Sequence, residues 1–212
     1  VSTVLVDFAG GNLHSAQKAF ERMAAEVGGG PVTVSADPDV VASADRLVLP
    51  GDGAFAACRS ALDDCPGLPE ALRQAVEVEG HPLLGICVGM QLLASVGYEY
   101  ETAEGFGWIP GAIRRIAPSD PALKIPHMGW NDLVVERAHP VMEGVATGDH
   151  AYFVHSYQME VERPADRLAH VDYGGPVTAI VAHDTVVGTQ FHPEKSQATG
   201  LRLIANFLSW RP

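Results

Sequence analysis

The sequence predicts an α/β fold on a largely parallel sheet, and three observations carry that reading. Apolar strand-like runs alternate with helical stretches through the first half, the pattern of βαβ units. Two of those strands run into glycine-bearing turns, Pro50-Gly51-Asp52-Gly53 and Gly85-Ile86-Cys87-Val88-Gly89. Open α/β sheets place their sites at such carboxyl ends. The second half is a series of short strand-like runs joined by short turns, which predicts antiparallel strands sharing the same core.

Taken in order, residues 3–7 form an apolar run that reads as a buried strand, turned by Gly10-Gly11-Asn12. Residues 15–27 show helical periodicity, with Ala16, Ala19, Phe20, Met23 and Val27 on one face. Gly28-Gly29-Gly30 stops that helix, and residues 32–35 form the next strand. Asp37-Pro38 opens a short helix, with Asp at the N-cap and Pro at the first position. Strands follow over 46–49 and 82–86, with helices over 57–62 and 69–78 between them. In the second half, strands are expected over 109–116, 132–135, 151–154, 167–171, 177–182 and 185–191. His183-Asp184 is the expected hairpin turn between the last two, and a helix over 198–210 closes the chain.

Composition narrows the function classes. The chain has 212 residues, 47% of them hydrophobic, enough for one domain with a sizeable core over residues 1–212. Net charge is −12, from 26 acids against 14 bases, and no basic patch stands out, so neither nucleic acid nor an anionic membrane is expected as a partner. No apolar run reaches the ~18 residues of a membrane span, and no secretory signal is visible. With three cysteines at uninformative spacings, a reduced cytoplasmic setting is expected. The nine histidines include no His-Glu-x-x-His, and the cysteines no Cys-x-x-Cys, so no metal and no cofactor are expected.

Gly85-Ile86-Cys87-Val88-Gly89 is the spacing of a nucleophile elbow, a strand-to-helix turn too tight for side chains two residues before and after the nucleophile. A helix is expected directly after it, through Met90-Gln91-Leu92-Leu93-Ala94, with its N-terminal N–H groups and dipole favouring the thiolate of Cys87. The competing reading is a buried structural cysteine between two packing glycines. A base and an orienting group would decide. Gln190-Phe191-His192-Pro193-Glu194-Lys195 supplies both at the end of the last strand. His192 and Glu194 are two apart, so an extended segment sends both side chains to one face. A carboxylate there holds the imidazole tautomer and stabilises the imidazolium. His155, in Tyr152-Phe153-Val154-His155-Ser156-Tyr157, is a rival base. The 50–53 turn lies beside the elbow and offers a backbone N–H that, with that of Val88, would make an oxyanion hole.

Together these motifs resemble the class I, triad-type glutamine amidotransferases. Four further stretches narrow the likeness, namely Asp7-Phe8-Ala9-Gly10-Gly11-Asn12-Leu13, Pro126-His127-Met128-Gly129-Trp130-Asn131, residues 152–157 and residues 188–196. They are similar to the glutaminase subunits of imidazole glycerol phosphate synthases, over residues 3–208. Asp52 departs from the pattern, standing where many such proteins carry an apolar residue. The resemblance implies a flavodoxin-like fold, its central mixed, largely parallel sheet flanked by helices. It implies that L-glutamine is hydrolysed by Cys87, His192 and Glu194, with Gly53 and Val88 giving the oxyanion N–H groups. Gln91, Glu99, His155, Ser156 and Tyr157 would line the glutamine pocket, although Glu101 or Glu104 could replace Glu99. The implied partner is a separate (βα)8-barrel synthase subunit on a second polypeptide, a heterodimer partner that uses the ammonia to make imidazole glycerol phosphate in histidine biosynthesis. Asn12 and Lys195 would flank that interface.

Three other functions compete. A glutaminase of the same fold could serve another acceptor, such as a nucleotide or chorismate. A γ-glutamyl hydrolase or cysteine peptidase would act on longer substrates without a partner. A non-catalytic binding module would not need the Cys, His and Glu set.

Overall fold

The computed structural model describes residues 1–8 and 13–212, so Asn12 lies outside the described residues. The first half alternates as its apolar pattern requires. Strand β1 (Thr3–Val6) precedes helix α1 (Leu13–Val27), β2 (Val32–Ser35), α2 (Pro38–Ala42) and β3 (Arg46–Gly51). Then come α3 (Phe55–Asp63), α4 (Leu68–Arg73) with a π turn at Gln74–Val78, β4 (Leu83–Cys87) and α5 (Val88–Gln91). Helix α1 buries Ala16, Phe20, Met23 and Ala24, an i, i+4, i+7, i+8 stripe. Val27 stays exposed. At α2 the Asp37 side chain accepts the Asp39 N–H at 2.9 Å, capping the helix at the proline start.

The second half holds β5 (Val96–Gly97), β6 (Ala103–Glu104), β7 (Gly111–Arg115), β8 (His127–Asp132), β9 (Val134–Val135) and β10 (His150–His155). It continues with β11 (Tyr157–Val161), β12 (Arg167–Asp172), β13 (Pro176–His183), β14 (Val186–Thr189) and α6 (Gln197–Ser209). The main sheet runs β2-β1-β3-β4-β14-β13-β12-β9. Its first five strands are parallel neighbours and the rest antiparallel. Helix α1 packs on α6, and α2 and α3 pack on α4, flanking the sheet. Strands β8 and β10 make a separate antiparallel ribbon, and β11-β7-β5-β6 a small third sheet. One cluster of buried apolar side chains runs through both halves, with Phe20, Phe55, Phe153, Phe191 and Phe207 fully enclosed.

The structure departs from the sequence expectations at several places. The run expected as one strand over 132–135 is divided between β8 and β9. Between them Leu133 turns fully into the core, and the chain crosses from the ribbon to the main sheet. The hairpin turn is Asp184-Thr185, one residue later than expected, because His183 pairs with Val186. Asp184 takes the positive φ of 48° there, a conformation that aspartate tolerates better than most residues. Helix α5 is a single turn rather than a helix through residue 94. A helix so short sums few peptide dipoles, so the expected dipole contribution at Cys87 is small.

The turn after β4 can be this tight only because of its glycines. A Cβ on Gly89 would lie 1.8 Å from the Leu49 carbonyl oxygen, and one on Gly85 would lie 2.7 Å from the Gly89 oxygen. Both obstacles are backbone, which cannot rotate away. We therefore expect Gly89→Ala to destabilise the protein by about 3 kcal/mol or more. At the ~2–4 °C per kcal/mol typical of this chain size, the midpoint should fall by roughly 6–12 °C in thermal denaturation. A midpoint within 2 °C of the parent would refute the close approach of β3 to α5.

Candidate active site

The sheet order brings the carboxyl ends of β3, β4 and β14 together. Gly51 pairs with Cys87 across β3 and β4, and Thr189 pairs with Ile86 across β14 and β4. Cys87 is the last residue of a wholly buried strand. It takes φ 55° and ψ −115°, a conformation that L side chains rarely adopt and that elbows impose on their nucleophile. His192 follows β14, and its Nδ1 lies 2.8 Å from Glu194 Oε1. A carboxylate accepts only, so Nδ1 carries the hydrogen and Nε2 is left for the sulfur. The two side chains are 14% and 5% exposed, which lowers the dielectric in which they interact.

The basicity of His192 follows from opposing forces. Burial disfavours its charged form. Hydrogen bonds to Cys87 and Glu194, and the negative charge of both, outweigh burial and push its pKa up to about 10. At neutral pH His192 is therefore an imidazolium facing a sulfur. Burial pushes the Cys58 thiol up to about 12, which makes it a poor nucleophile. Cys65 is half-buried against the Ala61 carbonyl.

A cleft of about 660 Å³, partly open to solvent, lies on the Cys87 side. Gln91, Glu99, His155, Ser156 and Tyr157 all line it with Cys87, Val88 and Gly53. Glu99 is held at its wall by accepting the Phe55 N–H at 2.8 Å. Glu101 and Glu104 line a different surface cleft, so Glu99 is the carboxylate placed to meet a ligand beside Cys87. Gln91 is almost fully buried, and its Nε2 donates to the Tyr157 carbonyl at 3.3 Å and to Gln190 Oε1 at 3.1 Å. Its Oε1 has no protein partner. The unpartnered atom is itself enclosed, so Gln91 meets the cleft with the rest of its side chain.

Two expectations need correction. The Gly53 N–H donates to Asp52 Oδ1 at 2.9 Å, so it is not free to serve an oxyanion in this conformation. The cause is local. Asp52 is the adjacent residue, and a short acidic side chain readily bonds a neighbouring N–H. His155 does not serve as a base, since Nδ1 faces the Tyr157 carbonyl at 2.8 Å and Nε2 faces His127 Nδ1 at 2.9 Å. Gln190, whose Nε2 lies 3.9 Å from Cys87 Sγ, escaped the sequence reading, as did the His127–His155 contact. The apolar run 186–191 offered no sign that Gln190 points inward. Lys195 is exposed beside the triad. Among the described residues no group of three or more His, Cys, Asp or Glu could hold a metal ion, and no helix is long and apolar enough to cross a membrane.

An elbow cysteine, an imidazole, an orienting carboxylate and an adjacent cleft on an α/β sheet define a protein equipped for cysteine acyl transfer. The sequence matches the family model described as Glutamine amidotransferase class-I over residues 4–210, and the chain belongs to that family. It is 65% identical over 210 residues to a Cereibacter sphaeroides protein, and 63% identical over 210 residues to one from Ruegeria pomeroyi, with 99% of each chain covered. Both relatives are named imidazole glycerol phosphate synthase subunit HisH. Among solved structures, a glutamine amidotransferase superposes with a TM-score of 0.72 at 20% identity, covering 98% of this chain and 99% of that one. The glutaminase domain of Trypanosoma brucei CTPS superposes with a TM-score of 0.66 at 16% identity, covering 100% and 95%. At those identities the likeness concerns the fold.

The buried imidazoles also predict acid behaviour. Burial, the first cause for each, depresses His127 and His155 to about 4, and His127 further disfavours a charge on His155. In the unfolded chain both take protons near 6.5. Their stabilising effect is therefore complete above pH 6.5 and declines as the pH falls toward 4. With two protons taken up only on unfolding, the slope is about 2.7 kcal/mol per pH unit within that window. Urea denaturation between pH 7 and pH 4 should show it, and a flat profile would contradict the burial of the pair.

Proposed function

We propose that this chain is the glutaminase subunit of an imidazole glycerol phosphate synthase. It hydrolyses L-glutamine and passes the ammonia to a separate (βα)8-barrel synthase subunit in the cytoplasm, in histidine biosynthesis. The observation that carries the reading is Cys87 at a strained elbow, beside the His192–Glu194 pair and lining one cleft with Gln91 and Glu99. The full-length likeness to the two HisH proteins supports the acceptor assignment. The continuous buried cluster supports a single domain over residues 1–212.

In this mechanism the Cys87 thiolate attacks the side-chain carboxamide carbon of glutamine, and the carbonyl electron pair moves onto oxygen. The Val88 N–H steadies that oxyanion, and the Gly53 N–H joins it once it leaves Asp52. His192 Nε2–H protonates the departing nitrogen, so ammonia leaves and a thioester remains. Water then attacks the thioester, His192 takes its proton, and glutamate departs as the thiol is restored. Glu194 holds the imidazole in the required tautomer throughout. Glu99 answers the substrate's α-ammonium group, and Gln91 packs at the wall of the pocket.

The docking surface follows from the ribbon. Successive residues of β8 and β10 face opposite ways. His127 and His155 point inward, while Met128, Trp130 and Val154 are 62%, 51% and 38% exposed. Trp130 pairs with Tyr152, and Met128 with Val154, on one outward face. Val154 also lines the Cys87 cleft, so this apolar face reaches the mouth of the site. An exposed apolar face of this kind suits a protein partner, which would also keep released ammonia from escaping. Lys195 belongs to the same proposed rim, and Asn12 is proposed for the interface on the family resemblance alone.

Steady-state kinetics of the reconstituted pair tests the activity. Cys87→Ala should lower glutamine-dependent product formation on the order of 10⁶-fold, because the covalent intermediate is lost, and leave synthesis from ammonium salts intact. Equal loss with both nitrogen sources would mean that Cys87 is structural. Titration calorimetry tests the surface. Trp130→Ala should weaken binding of the barrel subunit by roughly thirtyfold, the effect of removing a central aromatic anchor. Unchanged affinity would move the interface off the ribbon.

A further inference from the structure

Every proton in the hydrogen-bond chain behind the cleft can be assigned, because the chain ends on two carbonyl groups. The Tyr157 carbonyl can only accept, so His155 Nδ1, at 2.8 Å, carries a hydrogen. A neutral His155 then has a bare Nε2, and His127 Nδ1, 2.9 Å away, must donate to it. That leaves His127 Nε2 as an acceptor, and Asn131 Nδ2 lies 3.2 Å from it. The same amide nitrogen donates to the Asp172 carbonyl at 3.0 Å, while Asn131 Oδ1 accepts the Asp132 N–H at 2.8 Å. With both rings neutral, as their burial favours, both imidazoles carry hydrogen on Nδ1.

We propose that His127 is a positioning residue of the glutamine site, acting through His155 on the Tyr157 carbonyl that orients the Gln91 side chain. This deepens the glutaminase reading and rests on it. His127 touches neither Cys87 nor the cleft. The Tyr157 carbonyl also accepts Gln91 Nε2 at 3.3 Å, and Gln91 Nε2 is shared with Gln190 Oε1 at 3.1 Å. Two acceptors on one nitrogen fix the carboxamide and turn its bare Oε1 away from both of them. If the carbonyl shifts, Gln91 keeps only Gln190 and its amide can rotate. The chain also joins the cleft wall to the ribbon, since His127 and Asn131 alternate along β8 with the exposed Met128 and Trp130.

The surroundings of His127 favour the neutral form. Phe153 of β10 stacks at 4.9 Å and the Tyr173 ring lies at 4.2 Å, its hydroxyl donating to the Lys124 carbonyl instead. His155 is the one other titratable ring in the chain, and Asp172 contributes its carbonyl while its carboxylate accepts the Gly175 N–H. A proton added to His127 or His155 would set two N–H groups against each other or place one against a donor. The tautomer assignment is thus a property of the folded molecule that can be read without any substitution.

The experiment combines that reading with two variants of the reconstituted pair. Nitrogen-15 NMR of the unsubstituted protein should find both His127 and His155 as Nδ1–H tautomers. His127→Phe keeps the ring and removes both nitrogens, so the KM for glutamine should rise roughly tenfold, the loss expected of one buried hydrogen bond, with kcat changed much less. His127→Asn retains a donor near the Nδ1 position and should restore most of the KM. An Nε2–H tautomer at His155, an unchanged KM in a folded His127→Phe protein, or equal KM values in the two variants would each overturn the proposal. A glutaminase that survives Cys87→Ala would instead overturn the reading on which it rests.

Discussion

The close passage of β3 against the β4–α5 turn is the constraint on which the rest of the structure depends. Gly51, Gly85 and Gly89 meet there backbone to backbone, at separations that leave no room for a Cβ. That contact forces Cys87 into its positive φ and lifts the sulfur out of the sheet, at the end of a strand that is otherwise fully buried. Strain of this kind costs about 1–3 kcal/mol and persists only where the surrounding packing over-determines it. Here that packing comes from β3 and β4, two neighbouring interior strands of the main sheet.

Parallel order then does the assembling. Because β3, β4 and β14 are neighbours, their carboxyl ends deliver the 50–53 turn, Cys87 and His192 to one end of the sheet, although β5 to β13 intervene in the chain between β4 and β14. At that end the hydrogen bonds and negative charge of Cys87 and Glu194 outweigh the burial of His192 and raise its pKa. Local hydrogen bonds also compete there with the proposed catalytic ones. The Asp52 carboxylate, one residue away, captures the Gly53 N–H that an oxyanion would otherwise use. The site is thus complete in its acid–base pair and incomplete in its electrophilic half.

The second half of the chain supplies the cleft wall as well as His192 and Glu194. The β8–β10 ribbon presents apolar side chains outward and a neutral imidazole pair inward. A buried pair of imidazoles is stable only if every nitrogen has a partner of the right kind, and carbonyl groups at both ends of the chain provide that. The wall is consequently ordered by hydrogen-bond direction as well as by packing.

Local chemistry alone determined much of this protein. The glycine spacing around Cys87 specified an elbow, because no other residue fits a turn that tight, and the His192-Pro193-Glu194 run specified an imidazole in contact with a carboxylate. Alternating apolar runs specified the parallel half of the sheet, since a βαβ pattern has few other solutions. What the sequence could not determine depends on contacts between residues far apart in the chain. Strand β8 and the turn at Asp184-Thr185 are set by cross-strand register, which local propensity does not encode. The engagement of Gly53, the inward aim of Gln190, the choice of Glu99 over Glu101 and Glu104, and the pairing of His127 with His155 are likewise tertiary. Each turns on the direction of one polar group in a buried space, and that direction is decided only when the elements around it have packed.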